Sequence, residues 1–578
     1  MMARPVAGVR NKTLILTLPG SPKGAEENLE AVLPMLAHAC QQAAGADSRS
    51  LHVGGVGKLE KEAGLKPPTP TTSADSGGLQ DTSVHGHHHH SHDHDHSHSH
   101  GHGGHSAPKA HTSPSGRGPL SNDPNAGPTR RHRESPYPML SVSDALNQIY
   151  DHTPEPKVVT SPLSESLVGS VLASDVSARE SVPAFRASIV DGYAIVASDH
   201  ALVPSTKGIF PVTAISHAAG SEGETDELRT GEVARITTGA PLPPGATAVV
   251  MVEDTTLRSM TDDGKEEKDI EIHTDAIKSG ENVREVGSDV KAGEVVMRKG
   301  EAITSVGGEF GLLASVGTQE VSVYRRPVVG VLSTGDEIAP HDRPGELRRG
   351  EVRDTNRPTL LTAIRGSGFE AVDLGIASDA PGSLEAVLRD AMRSVDVIVT
   401  SGGVSMGELD LLKPTIERAL GGTIHFGRVS MKPGKPTTFA TVPFKPSSSE
   451  PGEGGREKRV IFSLPGNPAS AVVTFHLFVL PALQKMAGQS EPWGLPKVKV
   501  VLGQDVRMDP KRAEYHRVVV TAKADGRLYA ASTGFQRSSR IGSFKGANAL
   551  LCLPAKEGSL AKGESIEALL MGRLLSEL

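Results

Sequence analysis

The period of the hydrophobic pattern changes along this chain, and each change marks a different kind of region. Between Val176 and about Ile272, short β-branched runs separated by Gly and Pro turns, such as VARITTGAPLPPGATAVVMVED, predict a mostly β subdomain. From Val328, apolar strands alternate with amphipathic helices, which predicts an α/β unit with a largely parallel sheet. From about Pro496, runs such as KVKVVLGQDV and HRVVVTAK predict a small barrel or sandwich.

A helix precedes the first of these regions, in SPYPMLSVSDALNQIYDHTP. Ser143 is its predicted N-cap, because a hydroxyl before an apolar-periodic run can accept a backbone N–H of the first turn. The apolar stripe consists of Ala145, Leu146, Ile149 and Tyr150. The folded part of this region therefore begins near Pro136.

Residues 45–135 show no sustained apolar periodicity and are rich in Gly, Ser, Pro and Thr. They include the run HGHHHHSHDHDHSHSHGHGGH, from His85 to His105. This composition predicts a disordered linker. Closely spaced imidazoles can bind zinc, nickel or copper, so metal handling is one interpretation of the run, and a solvated spacer is the other.

Composition narrows the class of protein. A chain of 578 residues exceeds the size of a single core, so several domains are expected. A net charge of -7 provides no general basic surface for nucleic acid. The two cysteines, Cys40 and Cys552, exclude a disulfide framework and a cysteine zinc module. No stretch approaches the roughly 18 apolar residues of a membrane span, and no signal peptide is visible, so we predict a cytosolic protein.

Two loops of the α/β unit combine glycine with carboxylates. STGDEI follows a strand, and there Gly335 permits a tight turn beside Asp336 and Glu337. TSGGVSMGELD follows another strand, with a Gly-Gly pair whose backbone N–H groups an anion can approach, and it ends at Asp410. Ligands of open α/β sheets bind at the carboxyl ends of strands, so both loops are candidate site elements.

Two further loops provide cations and a hydroxyl. MKPGKPTTF carries Lys432 and Lys435 on a turn stiffened by prolines, and LPGNPAS delivers Ser470 at a helix start. Each feature alone has an ordinary alternative: the glycines can simply form a turn, the lysines can be solvated surface charges, and Asp410 can be a helix N-cap. Together they would gather glycine turns, lysines and carboxylates at one sheet edge, which suits a phosphorylated anion and a divalent metal.

These loops, with VDGYA, ITTGAPLPPGATAVVMVED, EYHR and STGFQRSSR, resemble the molybdenum insertase family, the MoeA-type E domain of gephyrin-like proteins. The resemblance covers about Ser135 to Leu578. It implies a homodimer that converts adenylylated molybdopterin and molybdate into molybdenum cofactor and AMP, with Mg²⁺ or another divalent metal. It also implies four subdomains: I at 136–182 and 273–326, a β subdomain II at 183–272, a molybdopterin-binding α/β subdomain III at 327–490, and a β subdomain IV at 495–578.

The resemblance further implies a role for individual residues. The catalytic carboxylates would be Asp191, Glu337 and Asp410, of which Asp410 and Glu337 would bind the metal. The molybdate-binding residues would be Lys432, Lys435, Ser470 and Arg512. The pterin or phosphate contacts would be Thr238, Gly239, Ser401, Gly402, Gly403, Ser405, Pro436, Gly466 and Asn467. Asp191 has the alternative of a turn carboxylate, and Arg512 that of a barrel-surface charge.

The N-terminal segment LTLPGSPKGAEENLEAVLPMLAHA repeats the pattern of FSLPGNPASAVVTFHLFVLPAL, which spans Phe462 to Leu483. It resembles the last strand and helix of a MogA-like G domain, the domain that adenylylates molybdopterin. Residues 1–44 are therefore predicted to be a truncated remnant, which by itself would neither bind ATP nor adenylylate the pterin. A separate G-domain protein would then supply the substrate. Receptor clustering by a gephyrin-like dimer is an alternative function.

Overall fold

The computed structural model describes residues 7–10, 13–16, 136–197, 205–216, 226–380, 382–404, 411–445 and 457–577. The predicted linker with its histidine run, and most of the predicted G-domain remnant, lie outside these residues. Near the N-terminus, β1 (Ala7–Arg10) and β2 (Thr13–Leu16) pair antiparallel, with Ala7 opposite Leu16.

The next region begins with α1 (Val142–His152), whose N-cap is Ser141. The Asp144 N–H donates to Ser141 Oγ over 3.0 Å. The predicted cap, Ser143, is wrong, because Ser141 has the extended backbone of a cap residue and Ser143 already lies in the first turn. Ala145 and Ile149 are buried, as the predicted stripe requires.

Short antiparallel ladders follow around a small core that includes Leu172, Ile303 and Leu313. β3 pairs with β14, β4 with β13, and β5 with β12. Their bounds, with those of a second helix, are β3 (Val158–Pro162), β4 (Val176–Ser177), β5 (Ala187–Ser188), β12 (Val283–Arg284), β13 (Val295–Met297), α2 (Gly308–Ser315) and β14 (Glu320–Tyr324).

A six-stranded sheet forms the β region, in the order β10-β11-β7-β8-β6-β9. Its strands are β6 (Gly192–Ile195), β7 (Gly208–Ser216), β8 (Val233–Ile236), β9 (Ala248–Met251), β10 (Thr255–Met260) and β11 (Glu267–Ile272). Only β7 and β8 run parallel within it. Gly192 packs directly on the backbone of Val250, where a side chain would collide with the carbonyl group.

The α/β region has a sheet in the order β18-β15-β19-β23-β22-β20. The first four strands are parallel, and the last two pairings, of β23 with β22 and of β22 with β20, are antiparallel. The prediction of a largely parallel sheet is thus confirmed. The strands are β15 (Val328–Thr334), β18 (Glu370–Ala377), β19 (Val397–Ser401), β20 (Thr423–Phe426), β22 (Thr438–Phe444) and β23 (Glu457–Leu464). The pair β16 (Ile338–Ala339) and β17 (Val352–Arg353) stands beside the sheet.

Helices cover both faces of this sheet. They are α3 (Asn356–Gly366), α4 (Ser383–Ser394), α5 (Leu412–Pro414), which continues as a π turn (Thr415–Ala419), and α6 (Pro468–Met486). On one face α3 and α6 pack on a core that includes Phe426, Phe439 and Phe462. On the other face α4 and the turn after α5 enclose a second core.

The helix α6 is long and apolar enough by length and composition to span a bilayer, so the prediction that no stretch approaches this limit is wrong. Most of this helix is nevertheless buried inside the protein. A helix that is apolar all round is typical of the core of a large domain as well as of a membrane span. In this chain α6 serves as a core helix of the α/β region.

The C-terminal strands close into a barrel, which decides between the predicted barrel and sandwich. β26 pairs with β27 and β28, and the ring continues through β24 and β30. The bounds are β24 (Lys497–Leu502), β25 (Val506–Arg507), β26 (Ala513–Lys523), β27 (Leu528–Ser532), β28 (Ala549–Leu553), β29 (Ser559–Leu560), β30 (Ser565–Leu570) and β31 (Leu575–Glu577). A short strand before β22, β21 (Met431–Lys432), adds in parallel to β26 and so joins the α/β region to the barrel.

Candidate functional site

The carboxyl ends of the parallel strands meet in a polar hub. Asn356 Nδ2 donates to Ser401 Oγ over 2.6 Å and to the carbonyl of Gly466 over 2.7 Å. The Gly402 N–H donates to the carbonyl of Leu464 over 3.2 Å. The structure therefore brings together Ser401, Gly402 and Gly466, which the sequence predicted as site residues from separate loops. Asn356 was not predicted, because only the packed sheet brings it beside these two loops.

Glycine is required where these loops approach each other. Gly402 and Gly403 have φ values of 94° and 64°, a left-handed backbone that other residues rarely adopt. A Cβ atom on Gly402 would lie 2.8 Å from the carbonyl oxygen of Thr334. The turn can thus carry its backbone close to a ligand. Ser405 and Asp410, predicted in the same loop, lie outside the described residues.

Glu337 lies in an acidic loop after β15. Its carboxylate folds back over Gly335, and Asp336 Oδ1 accepts the N–H of Asp379 over 3.1 Å. Burial and the nearby carboxylates of Asp336 and Glu337 raise the pKa of Asp379. Within the described ranges, no three His, Cys, Asp or Glu side chains are arranged to hold a metal ion.

Asp191 and Thr238 are paired in the six-stranded sheet region. The Thr238 N–H donates to Asp191 Oδ1 over 2.7 Å, and the Thr238 hydroxyl donates to the same oxygen over 3.2 Å. Gly239 follows with a φ of 82°, and its N–H donates to the carbonyl of Ser188. Two predicted residues from distant segments are thus in contact. In the part of the chain that the structure describes, no hydrogen bond or ion pair joins Asp191 or Thr238 to the loops of the α/β region.

Two of the three predicted oxyanion-binding cations, Lys432 and Arg512, come together where the α/β region meets the barrel. Lys432 lies opposite Glu514 in the ladder between β21 and β26, and its Nζ is 2.9 Å from Glu514 Oε2. The same Nζ is 3.8 Å from Asp509 Oδ2, and Arg512 Nη2 is 3.3 Å from that oxygen. Lys432 and Arg512 therefore share one carboxylate oxygen, although 80 residues separate them in the chain.

Ser470 and the lysine loop belong to the same corner of the molecule. Ser470 is buried in the first turn of α6, and the neighbouring Ala469 N–H donates to the carbonyl of Ser538 on the barrel side. Gly434, with a φ of 119°, lies so close to α6 that a Cβ atom there would be 2.6 Å from Thr474 Cγ2. The loop that carries Lys432, Lys435 and Pro436 thus packs against the helix that carries Ser470. Lys435 and Asn467 are exposed.

Sequence reasoning missed the two carboxylates of this corner and the histidine beside them. Burial opposes ionisation of Glu514, but His516 and Lys432 hold the pKa of this carboxyl below its usual range. Burial likewise opposes ionisation of Asp509, while the Lys511 N–H, Arg512 and Lys432 lower its pKa. Glu514 and His516 are two positions apart on β26 and therefore lie on the same face of the strand, with His516 Nδ1 3.6 Å from Glu514 Oε1. The two-residue spacing of Glu and His in EYHR was the signal in the sequence that could have indicated this pair.

This corner, formed by Lys432, Arg512, Asp509 and Glu514, contains kinds of side chain that can bind an oxyanion, and we call it the oxyanion corner. A tetrahedral dianion is bound well by two or three cations and a hydroxyl, and an Arg guanidinium adds a directional pair of donors. Lys432 and Arg512 remain partly accessible, with side chains 38% and 35% exposed. Gly-rich turns of the polar hub lie in the same α/β sheet edge, from which a phosphorylated ligand could extend to the cations.

Comparison with known proteins identifies the family to which this chain belongs. Three family models match consecutive parts of the chain. They are the MoeA N-terminal region (domain I and II) at residues 140–317, the probable molybdopterin binding domain at 330–485, and the MoeA C-terminal region (domain IV) at 499–571.

Individual relatives extend the similarity over almost the whole chain. Gephyrin of Dictyostelium discoideum is 37% identical, with 99% of this chain and 79% of that protein covered. The molybdopterin molybdenumtransferase of Haemophilus influenzae is 32% identical, with 74% and 98% covered. Among solved structures, the molybdopterin biosynthesis MoeA protein of Pyrococcus horikoshii is 29% identical with a TM-score of 0.59, covering 75% of this chain and 100% of that one.

Proposed function

Because this chain belongs to the MoeA family, we propose that it is a molybdopterin molybdotransferase of molybdenum cofactor biosynthesis. Adenylylated molybdopterin and molybdate are its substrates, and molybdenum cofactor and AMP are its products. The observation that carries the proposal is the convergence of Lys432 and Arg512 on Asp509, next to the helix that presents Ser470.

The oxyanion corner binds molybdate in this proposal. Lys432 and Arg512 contribute charge and directed N–H donors, Lys435 approaches from the same loop, and Ser470 contributes a hydroxyl. The pterin lies along the polar hub of Ser401, Gly402 and Gly466, with its phosphates near the N–H groups of the turn. Holding the oxyanion against the dithiolene sulfurs makes insertion a positioned and effectively intramolecular step.

A divalent metal is implied by the family resemblance, and Asp410 and Glu337 are its predicted ligands. Of the two, only Glu337 lies in the part of the chain that the structure describes, and no group of three suitable side chains surrounds it there. Asp336, the neighbouring carboxylate, accepts the N–H of Asp379. The residues in view do not by themselves make a metal site, so we derive no step through a metal.

We propose a role in the dimer for Asp191. Asp191, held by Thr238, is expected to reach the site of a second subunit in a homodimer. We also propose that the enzyme acts in the cytosol and receives adenylylated molybdopterin from a G-domain protein.

The test of the proposed function is AMP release and cofactor formation by the purified chain with Mg²⁺ and molybdate. It is run once with adenylylated molybdopterin and once with free molybdopterin plus ATP. We expect turnover only with the adenylylated substrate. Turnover from free molybdopterin and ATP would overturn the prediction for the N-terminal segment, and no turnover with either substrate would overturn the proposed function.

A further inference from the structure

The proposed oxyanion corner contains two carboxylates, which a site that binds anions by charge attraction alone would not need. Lys432 Nζ lies 2.9 Å from Glu514 and 3.8 Å from Asp509, and Arg512 lies 3.3 Å from Asp509. In the described part of this corner, two carboxylates thus balance the two ion-paired cations. Negative charge at this range opposes the binding of a dianion. The carboxylates must therefore contribute something other than attraction.

Glu514 fixes the position of the Lys432 ammonium group. Its side chain is only 5% exposed, so its carboxylate cannot turn toward solvent. The two residues also face each other in the ladder between β21 and β26. A lysine has a flexible four-carbon stem, and an ion pair to a buried partner removes that freedom. The ammonium group is therefore held at one place at the mouth of the site.

Asp509 does the same for Arg512. Its Oδ1 accepts the N–H groups of Lys511 and Arg512 over 2.9 Å and 3.1 Å. This leaves Oδ2 to face both the Arg512 guanidinium and the Lys432 ammonium group. One carboxylate thus sets the spacing between the two cations.

We propose that Glu514 and Asp509 are positioning residues that determine which tetrahedral oxyanion the site accepts. The inference rests on the proposed function, because it concerns the same site. Molybdate, sulfate and hydrogen phosphate carry the same charge, so cations alone separate them poorly. Molybdate is the larger tetrahedron, because molybdenum–oxygen bonds are longer than those of sulfur or phosphorus. Cations held at a fixed spacing favour a dianion of one size. The carboxylates lower the affinity for every dianion, so that only one that fits this spacing binds well.

The charge of Glu514 can be removed without changing its shape. In Glu514→Gln the neutral amide no longer forms the ion pair that holds the Lys432 ammonium group, so both the counter-charge and the fixed position are lost. Calorimetric titration of the full chain with molybdate, sulfate and inorganic phosphate, each alone, measures the affinities. We expect sulfate and phosphate to bind about tenfold tighter, while molybdate affinity changes little because its gain from the lost counter-charge is offset by the lost fit. The molybdate-to-sulfate affinity ratio should therefore fall by about tenfold. Asp509→Asn should change the ratio in the same direction, which keeps the test valid if one variant does not fold.

A matched control and a rescue complete the test. Glu567 pairs with Lys497 on the same barrel, but both side chains are more than 60% exposed, so Glu567→Gln should leave the ratio unchanged. Glu514→Asp keeps the charge, and its ratio should lie closer to that of the wild type than the ratio of Glu514→Gln does. If the ratio is unchanged in both Glu514→Gln and Asp509→Asn, the carboxylates only support the barrel, and the inference is overturned.

The result is separable from the proposed function. Wild-type turnover of adenylylated molybdopterin with an unchanged ratio in the variants would overturn this inference alone. Absence of wild-type turnover would overturn the proposed function instead.

Discussion

The two ends of the parallel sheet in the α/β region both carry dense charge, but they differ in what the charge can do. At the amino ends, Asp396 lies 2.7 Å from Arg325 and 3.4 Å from Arg459. Glu457 extends this chain of ion pairs, at 2.9 Å from Arg459 and 2.6 Å from Lys157. The network borders a cavity of about 240 Å³ between the α/β region and the segment after α1. We call it the amino-end network.

The carboxylate at the centre of the amino-end network is enclosed by its partners, whereas the carboxyl-end site is bordered by exposed loop residues such as Lys435 and Asn467. Asp396 is 8% exposed, and it also accepts the N–H of Val328, so its carboxylate is satisfied on several sides. At the other end, the left-handed Gly402 and Gly403 and the cations Lys432 and Arg512 are only partly covered. Charge density alone therefore does not identify a site. Strand direction does, because loops at carboxyl ends splay apart and leave room for a ligand.

The largest expected effect compares one lysine at each end. Lys432→Ala removes a cation that contacts the substrate oxyanion, and we expect kcat/KM for molybdate to fall by about a hundredfold or more. Lys157→Ala removes an exposed ion pair of the amino-end network and should change kcat/KM by less than about twofold. AMP release from adenylylated molybdopterin measures both. Equal losses in the two variants would contradict the distinction between the ends.

The next effect concerns stability at the amino end. Arg459→Ala leaves Asp396 buried with one cation fewer, and breaking a buried pair typically costs about 3 kcal/mol of unfolding free energy. Denaturant unfolding measures the loss, while activity per folded molecule should be preserved. Arg393→Ala is the control, since Arg393 and Asp390 are both more than 75% exposed and their pair contributes little. A loss no larger than that of the control would mean that the amino-end network is not a stability element.

The smallest effect is a pH dependence at the edge strand β20 of the same sheet. His425 stacks on His152 with ring centroids 3.8 Å apart, and its Nε2 lies 2.9 Å from Thr441 Oγ1. Burial, with additional repulsion from His152 and Lys458, lowers the pKa of His425 to about 4. The unfolded chain therefore binds more protons between this pKa and the usual value of about 6.5, so stability should rise with pH across that window.

Urea midpoints at several pH values between about 4 and 7 test this dependence. In His425→Gln, whose amide can still bond to Thr441, part of the rise should disappear. An identical pH profile in wild type and variant would show that the stacked pair does not titrate in this way.

Part of the site was predictable because it depends on local sequence. STGDEI, the Gly-Gly turn, the lysine loop and LPGNPAS each follow a strand, and the hydrophobic period and turn residues place those strands. The contacts between loops were not predictable in this way. Asn356 bridges Ser401 and Gly466 because α3 begins beside both loops in the folded sheet, and no spacing in the chain indicates that proximity.

By itself, the sequence determined which segments become strands and helices, the kind of side chain that each loop carries, and the family resemblance. These properties follow from local periodicity and turn chemistry, which a linear chain already contains. Only the tertiary structure decided that Lys432 and Arg512 share Asp509 and that Glu514 neutralises Lys432. Those contacts exist because β21, which lies between two strands of the α/β sheet in the sequence, pairs with barrel strand β26. Ion pairs depend on distances between atoms, and only the packed fold sets those distances.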